Sequence, residues 1–260
     1  MTLKDRVKRE KASHEEEDIL ENSIKLKNKF HHIYNYPSLK KLLKQFDETY
    51  EKTNSLKVLD YGCGKGLDSL RMLKAGATVY GIDISKIYIE QASKLARDNN
   101  IDESKYQFHV MDAHNLKFED NFFDLVIGNG ILHHLDYEIA FKSIHRVLRK
   151  GGRLVFREPL GDNPLLKIFR FFTPKARTVD EKPFSGTDLK KIIDLRKWDK
   201  KNTSFCGLIS APVAVFTSIV VPKNNENFLL KISNYIENKL NKYEFFKAHN
   251  QYVLFDLKKK

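Results

Sequence analysis

The 260-residue sequence predicts an α/β fold of the doubly wound type, in which helices cover both faces of a mostly parallel sheet. Two observations lead to this prediction. Short apolar runs alternate with helical patterns between Lys57 and Glu158, an alternation that is typical of a parallel sheet. A glycine-rich turn, GCGKG, ends the first run and opens the first helical pattern, and such a turn lets the backbone approach a ligand closely.

The core elements follow one another regularly. In chain order, the predicted strands and helices are LKVLDYG, a helix over 67–74, ATVYGIDIS, a helix over 86–99, YQFHVMDA, FDLVIGNG, a helix over 137–149 and GRLVFREP. The strand runs are short and apolar, as expected for parallel strands that are buried on both faces.

Further helices are predicted on both sides of this core. Apolar residues between 15 and 46 recur at helical spacing, and Pro37 divides them into two helices. An insertion with four prolines follows the core, and the sequence SGTD at 185–188 is a capping box that predicts a helix through Leu195. We therefore expect an N-terminal helical extension over 1–50, a cofactor-binding core over 51–158, and lid or substrate insertions with the closing strands of the same domain over 159–260.

The composition fits a soluble globular protein in a reducing compartment. Hydrophobic residues make up 41% of the chain and charged residues 31%. The two cysteines, Cys63 and Cys206, allow at most one pair, so no disulfide framework is indicated. Residues 1–18 are charged and lack an apolar stretch, which argues against a secretory signal or membrane span there. We expect a cytoplasmic protein.

The formal net charge of +12 is unevenly distributed. From Glu158 onward there are 19 basic and 11 acidic residues, whereas 57–157 contains 15 and 13. The C-terminal excess favours an anionic surface or substrate near this part of the chain. A solvated, lysine-rich surface explains the same counts equally well.

The glycine turn has a spacing and an acid that distinguish between ligand classes. Dinucleotide-binding folds use G-x-G-x-x-G, whereas Gly62, Gly64 and Gly66 give G-x-G-x-G. Asp60 lies two residues before the first glycine, where a carboxylate would repel a pyrophosphate and attract an ammonium group. The turn therefore favours a cationic ligand without phosphate.

From about Lys57 to Glu158 the sequence resembles the class I S-adenosylmethionine-dependent methyltransferases. VLDYGCGKG looks like motif I of that family, and GIDIS looks like the acidic end of the second strand. MDAHNL resembles the adenine-facing turn after the third strand, and FDLVIGNGILHHL resembles the fourth strand with its exit. The resemblance implies a seven-stranded, mostly parallel, Rossmann-like sheet, with S-adenosylmethionine as cofactor.

The resemblance also implies individual roles. Asp60 and the backbone of Gly62 and Gly64 would hold the methionine moiety of the cofactor. Asp83 would accept hydrogen bonds from both ribose hydroxyls, and Ile84 would cover the adenine.

Three residues further along complete this predicted cofactor site. Asp112 would accept a hydrogen bond from the adenine amino group, and the Ala113 N–H would bind a ring nitrogen. Asn129 would offer its backbone carbonyl near the ammonium or sulfonium. Each acid taken alone is equally well explained as a surface charge or helix cap.

The candidate catalytic residues are His133, His134 and Glu158. A histidine with an ordinary pKa of about 6.5 can take a proton from a hydroxyl or ammonium group, and His133 is the favoured base. Glu158, with Arg157, would orient an acceptor. A structural role in packing is the alternative for either histidine. The other histidines have no cysteine partner at metal-ligand spacing, so no metal is predicted.

The resemblance implies methyl transfer from S-adenosylmethionine, and we expect the acceptor to be a small, hydrophobic molecule that is methylated on oxygen or nitrogen. LLKIFRFF at 165–172 predicts an amphipathic basic helix, either a lid or a contact with anionic lipid. The uncharged run at 205–222 is short for a membrane span and contains Pro212, so it predicts a buried helix or a hydrophobic lid. Peripheral membrane contact through these two segments is a further hypothesis.

Three other functions are alternatives to methyl transfer onto a small acceptor. A nucleic-acid or protein methyltransferase fits the charge, but the chain has NGIL in place of [DN]-P-P-[YFW] after the fourth strand and carries no recognisable RNA-binding motif, so no nucleic-acid partner is expected. A non-catalytic protein that kept the fold need not have retained the glycines and Asp83. A nicotinamide-dependent oxidoreductase is disfavoured by Asp60 and the missing G-x-G-x-x-G.

Overall fold

The central sheet of the protein, seen in a computed structural model, has the predicted parallel core. The structure describes residues 24–25, 27–173, 182–192, 198–200, 202–224 and 227–260. The strands are β1 (Lys57–Tyr61), β2 (Thr78–Asp83), β3 (Tyr106–Val110), β4 (Phe123–Asn129), β5 (Leu148–Pro159), β6 (Trp198–Lys200), β7 (Ser204–Cys206) and β8 (Tyr252–Lys259). Seven of them lie in the order β3-β2-β1-β4-β5-β8-β6, and β7 pairs with β8 beside this path. The α/β prediction is therefore confirmed, with one short strand more than the seven expected.

The helices from Pro37 onward agree with the sequence pattern, whereas much of the helix predicted before Pro37 lies outside the described residues. They are α1 (Pro37–Glu51), α2 (Leu67–Lys74), α3 (Lys86–Asp98), α4 (Tyr137–Val147), α5 (Pro164–Phe171), α6 (Gly186–Ile192), α7 (Ser210–Val220), α8 (Phe228–Leu240) and α9 (Glu244–Lys247). Pro37 is the first residue of α1, where a missing N–H leaves no intrahelical bond unmade. The predicted capping box also forms, because Ser185 N–H donates to Asp188 Oδ2 and Asp188 N–H donates to Ser185 Oγ. Leu195, the expected end of that helix, lies outside the described residues.

The sheet register brings the ends of the parallel strands together. β1 pairs in parallel with β2 on one side and with β4 on the other. β2 continues to β3, and β4 continues to β5, also in parallel. The chain thus reverses its direction of travel across the sheet at β1, and open α/β sheets bind ligands at such a switch point, beyond the carboxyl ends of the strands.

The chain divides into two compact units. Unit 1 comprises Met1–Lys44, Pro159–Lys191 and Ser204–Val253. Unit 2 comprises Gln45–Glu158, Ile192–Thr203 and Leu254–Lys260, and it holds β1 to β4 with their helices. In unit 1, α7 packs against both α5 and α8. None of the helices in the described ranges is long and apolar enough to cross a membrane.

Candidate cofactor and active site

The glycine turn after β1 leaves a space beside its backbone. Gly64 and Gly66 have φ angles of +50° and +81°, in the left-handed region that favours glycine. A Cβ on Gly66 would lie 2.7 Å from the Cβ of Ala92, so this position brings α2 and α3 close together. A Cβ on Gly64 would meet no atom within 4 Å. The turn is therefore packed on its helix side and open at Gly64.

Asp60, in β1 two residues before the first glycine of the turn, is a buried acid. The residue is 4% exposed, and its Oδ2 accepts a hydrogen bond of 2.5 Å from the Ser69 hydroxyl. Burial raises the pKa of Asp60 to about 7, although the Ser69 hydrogen bond acts to lower it, while Asp68 and Asp83 raise it further. A cation bound beside Asp60 would stabilise its ionised form.

Asp83, at the end of β2, is bonded to the glycine turn. Its Oδ2 accepts from the Gly64 N–H at 3.0 Å, and its Oδ1 accepts from the Ser85 N–H at 2.8 Å. A carboxylate has about four acceptor positions, so two remain for ligand hydroxyls. Ile84 follows, half-buried, at the start of the turn into α3.

The turn after β3 is held by residues that sequence reasoning did not select. Asp112 Oδ1 accepts from the His114 backbone N–H at 2.9 Å and from the His114 ring at 2.7 Å. The Asp136 N–H donates to His114 Nε2 at 2.9 Å, so the ring proton lies on Nδ1. The buried Tyr61 hydroxyl donates to the Ala113 carbonyl. The one sequence signal was the Asp-x-His spacing in MDAH, typical of an aspartate that bonds the backbone two residues on.

His133 and Glu158 form a buried pair at the ends of β4 and β5. Glu158 is fully buried, and its Oε1 accepts from the backbone N–H groups of Ile131 at 3.0 Å and Leu132 at 2.8 Å. Its Oε2 lies 2.8 Å from Nδ1 of His133. Oε1 already accepts from two backbone N–H groups, and in the contact with Oε2 the imidazole is taken as the donor through Nδ1.

The remaining predicted residues lie beside this pair. The ring centroids of His133 and His134 are 4.1 Å apart. Asn129 is exposed at the end of β4, and its side-chain oxygen accepts from Arg157 Nε at 2.8 Å. Within the described part of the chain, no group of three or more His, Cys, Asp or Glu side chains is placed to hold a metal ion.

All eight predicted cofactor residues and all three catalytic candidates thus belong to unit 2. The cofactor residues lie in or directly after β1 to β4, and the catalytic candidates follow β4 or lie near the end of β5. Sequence reasoning missed three of their supports, which are Ser69, Tyr61 and His114.

Comparison with known proteins identifies the class. The sequence model of the family described as "Methyltransferase domain" matches residues 59–156. Demethylmenaquinone methyltransferase of Staphylococcus carnosus is 30% identical over 171 residues, which cover 64% of this chain and 67% of that protein. Methyltransferase GfsG of Streptomyces halstedii is 31% identical over 170 residues, which cover 60% of this chain and 61% of that protein. This chain therefore spans about three fifths of the length of GfsG.

A solved structure has the same fold. Geranyl diphosphate C-methyltransferase from Streptomyces coelicolor, in complex with Mg²⁺, geranyl diphosphate and S-adenosyl-L-homocysteine, superposes with a TM-score of 0.60 at 15% identity. The superposition covers 85% of this chain and 78% of that chain. The chain belongs to the class I S-adenosylmethionine-dependent methyltransferases, as its four sequence motifs indicated. S-adenosylmethionine is the cofactor of this family.

The site residues fit that cofactor. Its ammonium and sulfonium match the buried acid Asp60, and its lack of phosphate matches a turn that carries acids at Asp60 and Asp83. The open space at Gly64 is the part of the turn that a ligand can approach without displacing a side chain.

Proposed function

We propose that this protein transfers the methyl group of S-adenosylmethionine to an oxygen atom of a small, lipophilic acceptor. The observation that carries the proposal is the pair formed by His133 and the fully buried Glu158, at the carboxyl ends of strands next to the glycine turn. A hydroxyl acceptor needs such a base more than a carbon or amine nucleophile with a free electron pair does.

In this proposal the residues after β1 to β3 bind the cofactor. Asp60 and the backbone of the glycine turn bind the methionine moiety, and Asp83 accepts from the ribose hydroxyls. The adenine lies between Ile84 and the turn formed by Asp112 and Ala113, which Tyr61 and His114 hold in place. The backbone carbonyl of Asn129 faces the positive end of the methionine moiety.

The cofactor supplies a methyl group that is already activated on a sulfonium, so the protein's own residues position the acceptor and manage its proton. In this proposal the Nδ1–H of His133 donates a hydrogen bond to Glu158, and Nε2 takes the hydroxyl proton of the acceptor. Glu158 orients the ring and stabilises the imidazolium that forms. Because Glu158 is fully buried, it acts on the acceptor only through His133. The ring of His134 packs beside the ring of His133.

The lipophilic character of the acceptor is supported by the relatives. The names of two proteins similar to this chain give demethylmenaquinone and geranyl diphosphate as their substrates, and both molecules carry isoprenoid chains. The exposed apolar helices of unit 1 are consistent with an acceptor of the same kind.

The experiment has two stages. Calorimetric titration with S-adenosylmethionine and S-adenosylhomocysteine is expected to give micromolar binding, with NADH as the negative control. A panel of phenolic, quinol and lipid hydroxyl acceptors is then assayed with wild type, His133→Ala and Glu158→Gln.

We expect kcat to fall by about 10²–10⁴-fold in His133→Ala, while the affinity for S-adenosylmethionine is retained. Glu158→Gln is expected to shift the pH–rate profile, which a purely structural defect would not do. No cofactor binding would leave a binding protein with a methyltransferase fold. A wild-type rate in His133→Ala would refute the base.

A further inference from the structure

Three helices of unit 1 turn large apolar side chains to the solvent. On α5, Leu165, Ile168 and Phe171 are exposed, and Phe171 is 79% exposed. The first two are three residues apart and Phe171 follows at the same spacing, so they share one side of the helix. Soluble proteins seldom leave a row of such side chains uncovered without a binding role.

An ordinary surface helix buries its large apolar residues, whereas α7 buries small residues and exposes large apolar ones. Its buried residues are small or hydroxylated: Ser210, Ala211, Ala214, Thr217 and Ser218. Its exposed residues are Phe216, Ile219 and Val220. A helix that packs for stability buries its large apolar residues, because removing apolar surface from water stabilises the fold.

α8 repeats this inversion. It buries Leu230, Ser233 and Glu237. It exposes five large apolar residues, which are Phe228, Leu229, Ile232, Tyr235 and Ile236. Two neighbouring helices of one unit therefore present most of their large apolar side chains outward, and Leu230 is the large apolar side chain that α8 buries.

Hydrogen bonds hold both helices in this rotation. Glu237 of α8 accepts from the Ser38 hydroxyl at 2.6 Å and from the N–H groups of Gly207 at 2.9 Å, Ile209 at 3.1 Å and Ser210 at 2.9 Å. On α7, the Ser218 hydroxyl accepts from the His32 N–H at 3.1 Å, and Thr217 Oγ1 lies 2.9 Å from the His32 ring. Turning either helix to bury its apolar side would break these buried hydrogen bonds.

The charges beside these apolar residues are positive. Neither α5 nor α7 contains an acid, and the one acid of α8 is the buried Glu237. The basic residues on or next to the three helices are Lys167, Arg170, Lys223, Lys231 and Lys239. Lys167 Nζ lies 3.5 Å from Asp162 Oδ1. The sequence of this surface is therefore apolar and basic, a combination that suits a bilayer with anionic headgroups.

We propose that the exposed sides of α5, α7 and α8 form a membrane-docking surface that binds anionic lipid bilayers. The contact is peripheral, since α8, the longest of the three, has 13 residues and a span needs about 20. A second copy of the chain would bring a second set of the same lysines to the interface, which opposes self-association through this surface. The further step, that docking gives access to an acceptor dissolved in the bilayer, rests on the proposed function.

The test uses the full chain and co-sedimentation with vesicles. One vesicle type is phosphatidylcholine alone, and the other is an equimolar mixture with phosphatidylglycerol. We expect binding to the anionic vesicles and weak binding to the neutral ones. Phe216→Ser combined with Ile219→Ser should lower the partition coefficient by about tenfold or more, and Lys231→Glu combined with Lys239→Glu by about tenfold.

Matched control variants lie on unit 2. Ile87→Ser with Ile139→Ser removes two exposed isoleucines, and Lys105→Glu with Lys117→Glu reverses two exposed lysines. Both controls should bind vesicles as wild type does. All variants should retain affinity for S-adenosylmethionine, so a loss of vesicle binding is separable from a folding defect and from failure of the proposed methyl transfer.

Two results would overturn the proposal. One is equal binding of wild type and the α7 variant to anionic vesicles. The other is no vesicle binding by wild type; if light scattering then shows a dimer that the α7 variant dissociates, the surface is an interface between two copies.

Discussion

Glu237 of unit 1 and Asp60 of unit 2 are both buried carboxylates, and the two are bonded very differently. Glu237 of unit 1 accepts four hydrogen bonds, three of them from backbone N–H groups. Asp60 of unit 2 accepts its described hydrogen bond from Ser69, and burial raises its pKa to about 7. A fully paired carboxylate stabilises the fold around it, whereas a poorly paired one destabilises the free protein and is available to a cation.

The helices of the two units also differ in what determines their buried side. In unit 2, α4 buries Ala140, Ile144 and Val147, as its apolar periodicity requires. In unit 1, the polar partners of α7 and α8 decide which side faces inward. Substitutions in unit 2 should therefore act mainly on cofactor binding, and substitutions in unit 1 mainly on the hydrogen bonds that hold its helices.

The largest effect is expected at Asp83. Asp83→Ala removes the acceptor of the ribose hydroxyls and the bond to the Gly64 N–H, so the affinity for S-adenosylmethionine should fall about a hundredfold. Calorimetric titration measures it. Asp98→Ala, which removes an exposed acid paired with Lys94, is the control and should bind normally. Unchanged affinity in Asp83→Ala would refute the site.

Asp60→Asn is expected to separate stability from binding. The pKa of Asp60 is raised from 3.8 to about 7, so the ionised form is disfavoured in the free protein. Stability is lost as the pH rises from about 3.8 to 7, and asparagine avoids that loss. At pH 8 the free variant should be more stable than wild type by at most about 4 kcal/mol, and at pH 4 the gain should vanish.

The same substitution should weaken cofactor binding by about tenfold or more, because asparagine carries no charge to pair with the ammonium. In wild type, affinity should decrease as the pH is lowered below 7, with proton release on binding. Calorimetry in buffers of different ionisation enthalpy measures that release. A pH-independent affinity between pH 6 and 8 would contradict the role of Asp60.

Glu237→Ala should destabilise unit 1. The substitution leaves the N–H groups of Gly207, Ile209 and Ser210 without their acceptor, so the free energy of unfolding should fall by about 3 kcal/mol. Urea denaturation measures this value. Glu244→Ala, at a neighbouring exposed acid, is the control and should stay within about 0.5 kcal/mol of wild type. Equal stability of the two variants would mean that Glu237 does not fix α8.

The smallest effect is expected at Ile219, on the outward side of α7. Ile219→Ser should change the free energy of unfolding by less than about 0.5 kcal/mol, because the side chain is 62% exposed. Ile144→Ser in unit 2, where the side chain is fully buried, should instead lower stability by about 3 kcal/mol. A large loss at Ile219 would show that α7 packs its apolar side against the protein.

Much of unit 2 could be predicted from the sequence. The helix over 67–74 has the observed bounds, and the helix over 86–99 differs by one residue. The glycine turn, Asp83 and Asp112 lie near one another because parallel strands end at the same edge of the sheet. These features depend on local apolar periodicity and on strand order, and both can be read from the sequence.

The side-chain pairs of the site and the exposed side of α7 could not be predicted without the tertiary structure. The support of Ala113 by Tyr61, and of His133 by Glu158, joins residues from different strands or turns whose side-chain directions no periodicity gives. For the run over 205–222 the sequence predicted a buried helix or a lid; α7 forms there, yet its large apolar residues are exposed.

By itself, the sequence determined the α/β class, the order of the core elements and the cofactor turn, because strands and helices of this kind follow from short-range apolar spacing and from glycine. Only the tertiary structure decided which sides of α7 and α8 face outward. Apolar spacing predicts an inward apolar side, but Glu237, Thr217 and Ser218 make buried hydrogen bonds to partners far along the chain, and these bonds fix the inward sides of the two helices.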